Sequence, residues 1–237
     1  EQMRAVRERA ARLVTQVTPP VPGAIKADLR HYQVDGYHFL AYLAENGFGG
    51  VLADDMGLGK TLQALTWLVW LREKPGKAAG AALVVAPKSV TDNWREEAAR
   101  FAPGLRVNIW RGADETGLGA IVASSDIVVI NYTQLRLVAT ALSAKEWLAV
   151  ILDEGQYIKN PKSLTAQAAR RLKAAHRLVL TGTPIENRLL DLWSLMGFAM
   201  PGVLGHRAEF VRRFDKSDDP FARRRLAGQH HEQDRRG

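Results

Sequence analysis

Five short runs rich in Val, Ile and Leu alternate along this chain with segments of helical periodicity. The runs are residues 50–53, 82–86, 127–130, 150–152 and 178–180. Between them, apolar residues recur one or two helical turns apart, as in Val90, Trp94, Ala98 and Phe101, or in Leu189, Trp193, Met196 and Met200. Strands this apolar need cover on both faces, and the intervening helices supply it, so the pattern predicts an α/β fold with a mostly parallel sheet between two helical layers. The exits from the five runs read DDMGLGKT, PKS, NYT, DEGQ and TGTP. In open sheets of this kind ligands bind beyond the carboxyl ends of the strands, so these five exits converge on one rim, the predicted active cleft.

The 237 residues are 46% hydrophobic and 24% charged, an ordinary folded composition that argues against disorder of the whole chain. The longest nearly uncharged apolar run, residues 61–71, is too short to cross a bilayer, so a soluble protein without a membrane partner is expected. With no cysteine there is no disulfide framework and no thiolate metal site, which suits a reducing compartment, cytoplasmic (bacterial nucleoid) or nuclear in a eukaryote. A net charge of +8 attracts polyanions, although many arginine-rich soluble proteins bind no nucleic acid.

Three regions are expected. In residues 1–23, Met3, Val6, Ala10, Leu13 and Val17 form the apolar stripe of an amphipathic helix, which the linker TPPVPG then ends. Residues 24–206 carry the strand and helix alternation. Residues 207–237 lose it and read as helical pieces with a basic, loose end, where ARRRL (222–226) is a solvated face or a connecting helix. The chain opens on Glu1 and closes in a polar tail, and is expected to be part of a longer protein. His230 and His231 have no matching ligand set nearby and do not make a metal site.

The first exit carries the most chemistry. In MGLGKT, Gly57 and Gly59 let backbone N–H groups turn inward between Met56, Leu58 and Lys60, and the following helix adds about half a positive charge at its N-terminus. Lys60 would meet the β- and γ-phosphates of a nucleotide, and the Thr61 hydroxyl would ligate Mg²⁺. The general pattern has glycine five residues before Gly59, where this chain has Asp54. In DEGQ, a carboxylate at a strand end, Asp153, can hold Mg²⁺, and its neighbour Glu154 can orient or deprotonate the attacking water. Alone, such an acidic pair reads as a solvated cap. At the same rim as a phosphate loop it reads as the second half of a hydrolytic site. Gln33, in LRHYQVDGYHFL, can read an adenine edge or lie on a helix surface. Thr181 and Thr183, in TGTP, can sense the phosphate or simply form a tight turn.

Taken in order, LRHYQ, LADDMGLGKT, LVVAPKSVTDNW, DEGQYIKNP and LTGTPIENRLLDLWSLMGFAMPGVLG resemble the successive motifs of the Swi/Snf family of superfamily-two helicase-like ATPases. The resemblance spans about residues 24–214. It implies a RecA-like P-loop lobe in which Gln33 contacts adenine, residues 56–61 hold the phosphates, and Asp153 and Glu154 serve Mg²⁺ and the attacking water. Pro87, Lys88, Ser89, Asn131, Tyr132 and Thr133 would lie toward a DNA backbone. The family commonly has DEAH where this chain has DEGQ, so Gln156 stands in for the histidine that couples the ATP site to Thr181 and Thr183. His31 replaces a usual proline and Asp55 a usual glutamate. The implied cofactors are ATP and Mg²⁺, and the implied partners double-stranded DNA and a second RecA-like lobe that carries the arginines completing the pocket. Nothing after Phe214 has the strand pattern of that lobe, so the chain alone is expected to be nearly inactive. The alternative is a nucleotide-dependent interaction module acting on RNA polymerase or other DNA-bound proteins without moving along DNA.

Overall fold

The computed structural model describes residues 13–55, 57–74, 80–112, 114–182 and 189–214. In chain order these form α1 (His31–Glu45), β1 (Gly50–Ala53), α2 (Lys60–Glu73), β2 (Ala82–Ala86), a 3-10 turn (Lys88–Val90), α3 (Thr91–Phe101) and β3 (Val107–Ile109). There follow α4 (Leu118–Ser124), β4 (Ile127–Asn131), α5 (Tyr132–Leu137), α6 (Ala139–Ser143), β5 (Glu146–Leu152), a second 3-10 turn (Gly155–Ile158), α7 (Leu164–Arg171), β6 (Lys173–Thr181), α8 (Leu189–Ala199) and α9 (Arg207–Phe214).

The strands make one sheet in the order β1-β6-β5-β2-β4-β3, and every pairing is parallel. Because side chains alternate across a strand, each strand feeds two cores. In β2, Leu83 and Val85 face α4 to α8 and join Leu135, Leu142, Ala169 and Phe198. Ala82, Val84 and Ala86 face α1 to α3 and join Tyr37, Leu40, Leu65, Leu68 and Trp94. Both faces are therefore dry, as the apolar runs predict for a covered parallel sheet. The register places Ala53 beside Thr181, Ala86 beside Asn131 and Val85 beside Leu152, so the carboxyl ends of β1, β6, β5, β2 and β4 share one rim.

The strand expectations hold for β1 and β2 and run short elsewhere. β5 begins at Glu146 and β6 at Lys173, four and five residues earlier than their apolar cores. Those starts carry charge because they lie at the far rim, where Glu146 and Lys173 are register partners and form an ion pair at 3.5 Å. β3 was not expected. It is a three-residue edge strand whose pattern, half-buried then exposed then half-buried, gives almost no signal.

The amino-terminal expectation needs correcting where it can be described. Residues 13–17 do not continue a helix. They include the β-branched Val14, Thr15 and Val17, which disfavour helix, and Val14 instead exchanges backbone hydrogen bonds with the Asn46 side chain at 2.8 and 3.2 Å. Nor is TPPVPG a free spacer. The Tyr37 hydroxyl donates to the Pro20 carbonyl, His38 Nε2 to the Pro19 carbonyl, and Pro22 and Ile25 are buried against the lobe. The rest of the expected helix, residues 1–12, and the tail 215–237 lie outside the described residues.

At the rim opposite the exits, Asp126 ties three elements together. Its carboxylate accepts from the Arg106 backbone N–H at 2.8 Å, from Arg106 Nε and Nη2 at 3.1 and 2.9 Å, and from Arg72 at the end of α2. These bonds hold the aspartate, which lies just before β4 and is 5% exposed, in its ionised form; the Arg106 side chain is the largest influence lowering its pKa.

Candidate functional site

The loop between β1 and α2 turns sharply enough to need glycine at two places: Gly57 has φ 86° and Gly59 φ 76°. At Gly59 there is also no room, since a Cβ would stand 2.5 Å from Gln33 Nε2. Gln33 is 8% exposed and braces the loop, donating from Nε2 to the Leu58 carbonyl at 3.3 Å while Oε1 accepts from Arg30 N at 3.0 Å. Gln63, wholly buried on α2, donates to the same carbonyl at 3.4 Å. Lys60 opens α2 and folds back onto the loop, donating from Nζ to the carbonyls of Asp54 and Asp55 at 2.8 and 2.9 Å. These are neutral acceptors that an anion between the loop and the helix N-terminus would displace, because an anion adds the attraction of opposite charges to the hydrogen bond. Thr61 sits in the first turn of α2, half-buried; Met56 lies outside the described residues.

Asp153 follows β5 and is held on all sides. Its backbone N–H donates to the Val85 carbonyl at 2.8 Å, its Oδ2 accepts from the Trp94 indole at 2.9 Å, and its Oδ1 accepts from Glu154 N at 3.0 Å. A carboxylate has about four lone-pair sites, so both oxygens keep capacity for a cation. Burial pushes its pKa up, and Glu154 adds to that, while Trp94, the Glu154 N–H and the Lys60 charge pull it down. β1 and β5 flank β6 in the parallel sheet, so the loop that follows β1 and carries Lys60 and the turn that follows β5 and carries Asp153 leave the sheet at the same rim. Glu97, one turn beyond Trp94 on α3, is raised by burial and then by Asp153. The cleft thus gathers negative charge opposite a lysine and a helix N-terminus. These residue types, a lysine and a threonine at a helix N-terminus with acidic side chains on the same rim, suit a magnesium nucleotide.

Gly155 is buried with no space for a side chain: a Cβ would stand 2.4 Å from Val179 Cγ1 and 3.2 Å from Leu195 Cδ2. Gly155→Ala is therefore expected to cost about 1–3 kcal/mol, the usual penalty of overpacking, read as a lower denaturation midpoint in urea. Beside it, Gln156 carries a buried Oε1 with no hydrogen-bond partner among the described residues. Thr181, at the end of β6, is 2% exposed and stands beside Ala53 in register; Thr183 lies outside the described residues.

The residues expected toward DNA divide by exposure. Lys88, Ser89 and Thr133 are exposed at the rim, and Asn131 is half-buried, its Oδ1 capping α5 by accepting from Thr133 N and Gln134 N. Pro87 is buried. Tyr132 points inward instead of outward: it is 5% exposed and its hydroxyl donates to the Asp153 carbonyl at 2.6 Å. Burial, with Asp153 and Glu154 nearby, drives its pKa well above the ordinary tyrosine value, so the hydroxyl stays a donor. Trp94 is the residue that sequence reasoning missed. It was read as core, yet a buried indole N–H usually finds a partner, and that rule alone flags it as a candidate for the polar rim.

Comparison with known proteins decides the family. The model of the SNF2-related domain matches residues 32–233. The chain belongs to the SNF2 family. It is 40% identical over 235 residues to the TATA-binding protein-associated factor MOT1 of Saccharomyces cerevisiae, covering 91% of this chain and 13% of that protein. It is 39% identical over 197 residues to the putative ATP-dependent helicase/translocase YwqA of Bacillus subtilis, covering 82% of this chain and 21% of the other. Among solved structures, the Sulfolobus solfataricus SWI2/SNF2 ATPase core in complex with dsDNA superposes with a TM-score of 0.81 at 39% identity, over 90% of this chain and 44% of that one. The chain thus spans less than a quarter of those two curated relatives. Its sheet is the RecA-like fold of the SNF2 ATPase core, and the family is one of helicase-like ATPases.

Proposed function

We propose that this chain is the ATP-binding first lobe of a DNA-dependent ATPase that translocates on double-stranded DNA to remodel protein–DNA complexes. The observation that carries the reading is that the glycine loop bearing Lys60 and the half-buried Asp153 follow β1 and β5 at one rim of the parallel sheet. In this reading the loop residues 57–61 bind the β- and γ-phosphates, Gln33 releases its bond to Leu58 to meet adenine, and Glu154 takes the proton of the attacking water. Mg²⁺ on Thr61 and Asp153 would neutralise charge on the phosphates. Gln156, Thr181 and Thr183 would pass the state of the pocket to the DNA-facing rim, where Lys88, Ser89 and Thr133 are exposed. The Sulfolobus core bound to dsDNA supports DNA as the partner.

Arginines from a second lobe would complete the pocket, and a supplied arginine is worth about 10³–10⁵ in rate, so the chain by itself turns ATP over hardly at all. The test uses the full-length protein. Duplex DNA is expected to stimulate its ATP hydrolysis, Lys60→Ala to abolish it, and DNA affinity to fall with salt at a log–log slope of about −0.9 per phosphate contacted. Nucleotide binding without any DNA-stimulated turnover would transfer the reading to a protein-interaction module acting on DNA-bound complexes such as RNA polymerase. Brisk Lys60-dependent hydrolysis by the 237-residue chain would refute the need for a second lobe.

A further inference from the structure

Glu154 has φ 54°, the one positive value outside glycine among the described residues. L-residues rarely adopt this conformation, and it persists only where the surroundings over-determine it; such places cluster at functional sites. Here the peptide joining Asp153 to Glu154 is held at both ends. Its carbonyl accepts from the Tyr132 hydroxyl at 2.6 Å, and its N–H donates to Asp153 Oδ1 at 3.0 Å, while Trp94 secures the other carboxylate oxygen. The next carbonyl, that of Glu154, accepts from Tyr157 N at 3.1 Å. Tyr157 in turn lies flat on Tyr132, with ring centroids 4.6 Å apart and planes 4° from parallel. The two tyrosines therefore close a ring around the strained residue: one bonds the peptide before it, the other the peptide after it, and they stack on each other. Tyr132 is itself fixed by its place at the start of α5, directly after the capping Asn131.

We propose that Tyr132 is a positioning residue, whose hydroxyl, backed by the stack on Tyr157, fixes the Asp153–Glu154 peptide in the turn that aims Glu154 at the reacting water. The role in aiming rests on the reading of Glu154 as the general base; the clamp on the peptide does not. Phenylalanine at 132 keeps the stack and removes the one hydrogen bond. In the nucleotide-free chain, Tyr132→Phe is expected to speed amide exchange at Glu154 about tenfold, while amides beside Asp126 at the far rim keep their rates. In the full-length protein the same change is expected to lower kcat for ATP about three- to tenfold, with KM moving less than about twofold. Added to Glu154→Gln it should cost little more, because both act through one carboxylate.

Unchanged exchange at Glu154 overturns the clamp. An equal loss of kcat with and without the Glu154 carboxylate overturns the aiming role, as does a loss confined to KM. If the wild-type full-length protein does not hydrolyse ATP, the functional reading fails by itself and the exchange measurement still decides the clamp. Should Tyr132→Phe fail to fold, Tyr157→Ala loosens the stack from its half-exposed side and carries the same expectations.

Discussion

Glu154→Gln in the full-length protein is expected to lower ATP turnover by about 10²–10⁴, the usual worth of a general base, while nucleotide affinity changes little. The two side chains are nearly isosteric, and Glu154 is half-buried, held by its backbone: its N–H donates to Asp153 Oδ1 and its carbonyl accepts from Tyr157 N. The substitution thus removes a proton acceptor and leaves the Asp153 turn in place. Steady-state hydrolysis and the binding of a fluorescent nucleotide separate the two effects. A parallel fall in affinity would mean that Glu154 holds the nucleotide and is not the base. An unchanged rate would remove it from the chemistry altogether. Asp153→Asn is the less informative variant. Both of its carboxylate oxygens accept N–H donors, from Trp94 and from Glu154, so an amide NH₂ at either position meets a donor and disturbs the turn itself.

How far the sequence foretold this site depends on what each residue needs from its neighbours. The glycine turn between β1 and α2 was legible because a backbone that turns its N–H groups inward demands positive φ, and Gly57 and Gly59 supply it. β1 and β2 were legible to the residue because turn-formers bound their apolar runs on both sides. The far halves of β5 and β6 were hidden by charge at the opposite rim, and β3 by its length. The partners of Asp153 were hidden for another reason. Trp94 lies 59 residues away in sequence and Tyr132 lies 21, and only the strand order β5-β2-β4 brings the α3 and α5 entries beside the end of β5. Motif resemblance assigned residues 131–133 to the DNA side as one stretch, and within it Thr133 is exposed while Tyr132 is buried. The alternation at the helix start turns Tyr132 inward.

The largest effect on stability is expected from Asp126→Ala, about 3 kcal/mol. Removing one partner of a buried ion pair commonly costs about 3–5 kcal/mol, because the remaining charge has lost its compensation. The lower figure applies because the Arg106 side chain is 63% exposed and rehydrates, and Arg72 retains its second bond to the Gly80 carbonyl at 3.1 Å. What does not recover is the Arg106 backbone N–H, which loses its acceptor at the edge where β3 meets β4. For a domain of this size the midpoint of thermal unfolding should fall by about 6–12 °C. The acid limb of stability changes as well. The native pKa of Asp126 lies below its unfolded value, so its contribution is complete above the ordinary aspartate range and is lost as pH falls through the lowered native value. The alanine variant has no such loss, so the gap between the two proteins should narrow as the solution is acidified below about pH 4. Nucleotide affinity should be unaffected, since the network sits at the rim opposite Lys60 and Asp153. A constant gap across that pH range would show that the destabilisation comes from lost packing and not from the ionised carboxylate.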